Sequence, residues 1–206
     1  MATAVICEFN PFHNGHKYLL ESAKNVLKEP VIAIMSGSFT QRGEVAVCDK
    51  FVRAKSALEN GADLVLELPV VFSLSGAEGF AKAGVAIASA FDCTNHLAFG
   101  SESGDCKLLK KSADAVCDER VQVLVRNGMK NGGYYPRELE NAVKTVFGDE
   151  ISSVLCEPNN ILGVEYIKAL NGTDIAVLGC KNRCCTRQPN CGRGLCVCVT
   201  HKRNVA

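Results

Sequence analysis

Apolar residues come in short runs along the chain, each closed by a polar or glycine-containing turn and separated from the next by a longer stretch of helical period. The runs at 3–7, 31–35, 64–68 and 96–99 are mostly aliphatic without a polar alternation, which predicts four strands buried on both faces. Between the first two, segment 15–27 places Tyr18, Leu19, Ala23, Val26 and Leu27 on one helical stripe. Segment 49–60 opens with Asp49 as a cap, turns Val52, Ala54, Ala57 and Leu58 inward and stops at Gly61. Small residues dominate 75–90, where Phe80, Ala83, Ile87 and Ala88 suit close packing on a sheet. Further helices are predicted over 107–125, over 136–147 with Pro136 at its start and Gly148 at its end, and over 160–170. Strands alternating with helices predict an α/β fold in three layers, a Rossmann-like parallel sheet with helices on both faces.

Composition narrows the class. With 206 residues, 47% hydrophobic and 22% charged, the chain can bury a substantial core as a globular domain. No apolar stretch approaches the roughly 20 residues of a membrane span. The expected setting is cytoplasmic, with no membrane partner. A formal net charge of +1 gives no global field toward nucleic acid, so any RNA contact must come from a local patch.

Open parallel sheets bind ligands where strand ends turn into helices. The first such turn reads Glu8-Phe9-Asn10-Pro11-Phe12-His13-Asn14-Gly15-His16. His13 and His16 stand at the entry to a helix, where free N–H groups and the helix dipole favour phosphate, and Gly15 removes a Cβ from the approach path. The competing reading has one histidine capping the helix and the other packing under Tyr18. The turn 100–105, Gly-Ser-Glu-Ser-Gly-Asp, fits either a nucleotide contact or a tight turn capping the next helix. Loop 36–44 carries Arg42 and fits an active-site lid as well as a solvated connection. Lys50, Arg53 and Lys55 either reach phosphate or face water.

The His-x-Gly-His resembles that of the nucleotidylyltransferase superfamily. Four further stretches, at 35–44, 57–69, 99–105 and 158–166, follow in order and make the chain similar to the bacterial tRNA(Met) cytidine acetate ligases as far as about Leu170. The resemblance implies a nucleotidylyltransferase-like domain in which ATP and acetate form acetyl-adenylate, and the acetyl group passes to N4 of the wobble cytidine of elongator tRNA(Met). It implies an ATP site lined by Ile6, Cys7, Glu8, Phe9, Asn10, Pro11, Phe12, His13, Asn14, Gly15, His16, Lys17, Tyr18 and Leu19, with Gly100 and Asn159 also contacting the nucleotide. His13 and His16 would be catalytic, holding phosphates as acetate attacks the α-phosphorus. Mg²⁺ is expected with the triphosphate, although the sequence offers no dedicated carboxylate cage. A nucleotidylyltransferase acting on a phosphorylated small molecule is the alternative enzyme, and a truncated ATP-binding remnant the alternative outside catalysis.

The division expected is a catalytic domain over 1–170 and an aberrant tail over 171–206. Six of the 12 cysteines crowd into that tail, and 175–206 contains no Asp or Glu. A reading-frame slip or truncation near Asn171 accounts better than a zinc site or disulfides for composition, periodicity and resemblance all stopping together. The family's arginine-containing segment after 158–166 finds no counterpart, so neither Arg183 nor Arg187 inherits its role. The tail is expected to be disordered or poorly packed, and the oligomeric state stays open.

Overall fold

The structure is a computed structural model that describes residues 1–181. The expectations for Cys184 and the cysteines beyond it, and for the tail from 182 on, lie outside the described residues. Five parallel strands form one sheet in the order β3-β2-β1-β4-β5, with β1 at Ala2–Cys7, β2 at Val31–Ser36, β3 at Leu64–Leu68, β4 at Thr94–Ser101 and β5 at Ala176–Lys181. This is the α/β, Rossmann-like architecture that the alternating runs predict.

Helix α1 spans Asn14–Leu27, α2 Lys50–Glu59, α3 Val70–Ser73, α4 Ala77–Ser89, α5 Cys106–Cys117, α6 Glu119–Lys130, α7 Tyr135–Phe147, α8 Asp149–Ser152 and α9 Pro158–Ala169. The stretch read as one helix over 107–125 is two, because Asp118 ends α5 and caps α6 by accepting the Arg120 N–H at 2.8 Å. The fifth strand also departs from the sequence reading, which placed 171 onward outside the domain. Val177 packs into the core on one face of the sheet and Leu178 into the core on the other, and β5 pairs in register with β4 from His96↔Ala176 to Ser101↔Lys181.

Alternation along each strand builds a core on either side. Ala2, Ala4 and Ile6 of β1, with Ile32, Ile34, Leu97 and Phe99, join α4, α5, α7 and α9; Val5, Val31, Ala33, Met35 and Ala98 join α1 and α2. The inward faces of two helices are rotated from their predicted stripes. In α1 the buried residues are Leu20, Ser22 and Ala23, with Val26 exposed; in α2 they are Arg53 and Ala57, with Val52 and Leu58 exposed.

Helix α4 lies close on β1 because Gly84 lacks a side chain. A Cβ there would sit 2.6 to 2.9 Å from three side-chain carbons of Ile6, which is itself buried. Helix propensity favours Ala over Gly by about 1 kcal/mol, but overpacking a filled core costs about 1–3 kcal/mol. Gly84→Ala therefore lowers the urea midpoint, and adding Ile6→Val restores part of it; a variant as stable as the wild type would refute this account of the α4–β1 packing.

Candidate active site

Strand order reverses between β1 and β4, and there the turns after both strands open into a cleft of about 1050 Å³. Its polar side is made by Glu8, Asn10, His13, Asn14, His16, Gln41, Arg42, Glu102 and Asn159, and its apolar side by Ile6, Ala77, Phe80, Phe99, Ile161, Leu162 and Tyr166.

The chain leaves β1 along a forced path. Phe9 takes a left-handed backbone with φ 49°, rare for a bulky residue, and is buried against the rings of Phe12 at 5.0 Å and His16 at 4.9 Å. The guanidinium of Arg53, 1% exposed, holds that path from below. It donates to the carbonyl oxygens of Glu8 at 2.5 Å, Ser36 at 3.2 Å, Cys48 at 3.1 Å and Gly37. The sequence left Arg53 facing phosphate or water; it does neither, and clamps the ends of β1 and β2 together. Of its two neighbours, Lys50 pairs with Glu67 at 2.6 Å and Lys55 with Glu59 at 3.8 Å.

Loop 36–44 is pinned to the same exit. The Glu8 carboxylate accepts the Gln41 N–H at 2.5 Å, the Asn10 side-chain Oδ1 accepts the Val47 N–H at 2.7 Å, and Phe39 bridges Val45. Gln41 and Arg42 are thereby brought to the cleft wall. Cys7 lies behind Glu8, its thiol pushed well up by burial against a smaller opposite effect of Arg53, and donates to the Ile34 carbonyl at 3.7 Å.

The two imidazoles cap α1 reciprocally. Nδ1 of His13 accepts the Gly15 N–H at 3.1 Å, Nδ1 of His16 accepts the His13 N–H at 3.3 Å, and the rings stack 3.6 Å apart. A nitrogen that accepts carries no proton, so each ring proton sits on Nε2, the remaining donor. Burial first, and the His13 ring second, lower the His16 pKa from 6.5 to about 4. Gly15 serves the pair directly, since a Cβ there would stand 2.9 Å from the His13 ring. The capping and phosphate-donor roles that the sequence set against each other are thus compatible, one nitrogen for each.

Across the cleft, the turn after β4 and the start of α9 are bolted together. Glu102 accepts the Asn159 side-chain amide at 2.6 Å, the Asn159 N–H at 3.2 Å and the Asn160 N–H at 2.8 Å. Asn160, buried, accepts the Ser103 N–H at 3.1 Å. Asp105 caps α5 through the N–H groups of Lys107 and Leu108, so this turn faces the cleft and starts a helix at once.

Comparison with known proteins bears on this geometry. The HIGH Nucleotidyl Transferase family model matches residues 1–181. This chain belongs to the HIGH nucleotidyl transferase family. Among its relatives in that family, the tRNA(Met) cytidine acetate ligase of Caldanaerobacter subterraneus subsp. tengcongensis is 44% identical over 173 residues, 82% of this chain and 43% of that protein. The ligase of the same name from Lysinibacillus sphaericus is 41% identical over 178 residues, 84% of this chain and 44% of that protein. The crystal structure of Thermotoga maritima TmcAL bound with alpha-thio ATP superposes with a TM-score of 0.82 at 39% identity, covering 88% of this chain and 46% of that one. The chain spans less than half the length of these relatives. The family and ligase resemblance drawn from the five ordered stretches agrees with these matches.

Of the residues expected at the site of this HIGH family member, Ile6, Cys7, Glu8, Phe9, Asn10, His13, Asn14, Gly15, His16, Tyr18, Leu19, Gly100 and Asn159 line one cleft. Pro11, Phe12 and Lys17 are not in its lining: Pro11 is exposed, Phe12 packs on Phe9, and Lys17 pairs with Glu21 at 3.9 Å on the surface. Sequence reasoning offered the turn at 100–105 without singling out Glu102, and of the apolar side it named Ile6 as a site residue but not Phe80, Phe99, Ile161, Leu162 or Tyr166. Phe99 as the last apolar residue of a strand and Tyr166 at helical spacing from Leu162 were the available signals. Tyr166 is buried with its ring 5.4 Å from Phe99, and burial raises its hydroxyl pKa.

The His16 shift makes stability depend on pH. Between pH 6.5 and 4 the unfolded chain binds a proton at His16 that the folded chain refuses, so stability falls as pH drops through that window. The wild type loses on the order of 1–2 kcal/mol there, allowing for partial exposure of the ring. His16→Asn removes that slope in urea midpoints taken from pH 7 to 4, and equal slopes in both proteins would contradict the assignment.

Proposed function

We propose that this chain carries the ATP-binding and adenylating half of a tRNA(Met) cytidine acetate ligase. The observation that carries the reading is the stacked His13–His16 pair, which holds its Nδ1 atoms on backbone N–H groups and leaves two Nε2–H donors at the start of α1. Preorganised neutral donors beside a helix N-terminus suit a triphosphate whose charge redistributes at the α-phosphorus. Support also comes from TmcAL of Thermotoga maritima, crystallised with alpha-thio ATP on the same fold.

In this reading an acetate oxygen attacks the α-phosphorus, the bond to the β-phosphate oxygen breaks, and pyrophosphate leaves with acetyl-adenylate formed. N4 of the wobble cytidine of elongator tRNA(Met) then attacks the acyl carbon, AMP departs, and the amine releases a proton. His13 and His16 hold phosphate oxygens, the α1 N-terminus faces the same charge, and Gly100 and Asn159 form the opposite wall. Mg²⁺ would arrive with the triphosphate. The described residues present no group of three or more His, Cys, Asp or Glu able to hold a metal, and a ring nitrogen carrying a proton is not a ligand, so this donor set fits phosphate rather than the ion itself. Among the described residues no helix is long and apolar enough to cross a membrane.

Exchange of labelled pyrophosphate into ATP tests the first step without tRNA. The purified chain exchanges only when acetate is present, and His16→Ala lowers the rate about a hundredfold. Exchange that ignores acetate, or persists unchanged in His16→Ala, would overturn the reading.

A further inference from the structure

We infer that Glu102 is a positioning residue that sets nucleoside selectivity by fixing which atom of Asn159 faces the cleft. The inference rests on the proposed nucleotide site and deepens it. A carboxylate at neutral pH only accepts, so the Asn159 side chain must turn its NH₂ toward Glu102, and the 2.6 Å contact is that bond. Its carbonyl oxygen is then turned away from Glu102 and left to accept from a ligand, at a position that lines the cleft opposite the histidines. Glu102 also occupies the N–H groups of Asn159 and Asn160, so neither of these two competes with the side chain for a ligand.

The amide cannot easily turn over. Rotating it would set its carbonyl oxygen against a carboxylate and abandon the short bond, and the carboxylate is itself fixed by both backbone N–H groups of α9, a helix with no side-chain cap of its own. Asn160 closes the latch from the other side through the Ser103 N–H. The wall facing the phosphate donors therefore presents an acceptor oxygen at Asn159, and it favours a nucleotide with a hydrogen-bond donor there: the exocyclic amine of adenine or a ribose hydroxyl. A site built to accept a hydrogen bond discriminates strongly against a ligand that lacks the donor, because its own polar atom is left unpaired.

Calorimetry on the whole chain tests this with ATP, purine riboside triphosphate, 2′-deoxyATP, 3′-deoxyATP and inorganic tripolyphosphate. The wild type binds ATP at least about tenfold tighter than one of the three analogues, and which one names the donor. Glu102→Ala brings that ratio close to one while tripolyphosphate still binds, and the melting temperature drops by about 2–4 °C because α9 loses the carboxylate that holds its first N–H groups. Asn159→Ala likewise brings the ratio close to one, and the double variant loses no more discrimination than either single one. A ratio unchanged in Glu102→Ala, or equal weakening for ATP and every analogue, overturns the role of Glu102 and leaves the nucleotide site standing. Absence of ATP binding in the wild type overturns both.

Discussion

A single buried cation decides how the chain leaves the central strand. Arg53 reaches from α2 under the sheet mouth and spends its donors on carbonyl oxygens at the ends of β1 and β2 and on the loop between β2 and α2. Parallel strand ends present several carbonyls pointing the same way, and a fork of fixed N–H directions can satisfy them where a hydrophobic residue would leave them unpaired. With that clamp in place Phe9 can hold its left-handed backbone, and the turn delivers His13 and His16 to the first turn of α1.

From that exit the cleft follows as a set of divided tasks. Each imidazole spends one nitrogen on the backbone and keeps the other; Glu8 and Asn10 spend their oxygens on the loop that carries Gln41 and Arg42. On the far side Glu102 and Asn160 exchange bonds between a strand turn and a helix start, which gives Asn159 one orientation. Atoms engaged in holding the scaffold face inward, and the atoms left over define what a ligand meets.

Much of this fold was legible because parallel strands covered on both faces leave continuous aliphatic runs, as in β1, β2 and β4; β3 also reads as such a run, but at the sheet edge only its Leu68 is buried. The misreadings have local physical causes. An arginine at a buried position of α2 turned the inferred stripe onto Val52 and Leu58, since charge at an inward position is invisible to periodicity. Strand β5 contains Gly179 and Cys180 and precedes a stretch without acidic residues, so its apolar pattern is short and easily lost. At the site, the spacing of His13 and His16 pointed to a phosphate cradle, but their mutual capping depends on ring rotation that no spacing encodes. Glu102 reads as one acidic residue in a polar turn, because its partners lie 57 and 58 positions away.

The account stands on the protonation of two rings, and long-range ¹H–¹⁵N spectra of the histidine-labelled chain read it directly. At neutral pH the spectra of His13 and His16 will show Nδ1 as an unprotonated acceptor and Nε2 as the protonated nitrogen, and the Nε2 signals will shift on addition of ATP. A proton on Nδ1 of either ring, or Nε2 signals indifferent to ATP, would contradict the reading of this cleft as a triphosphate site.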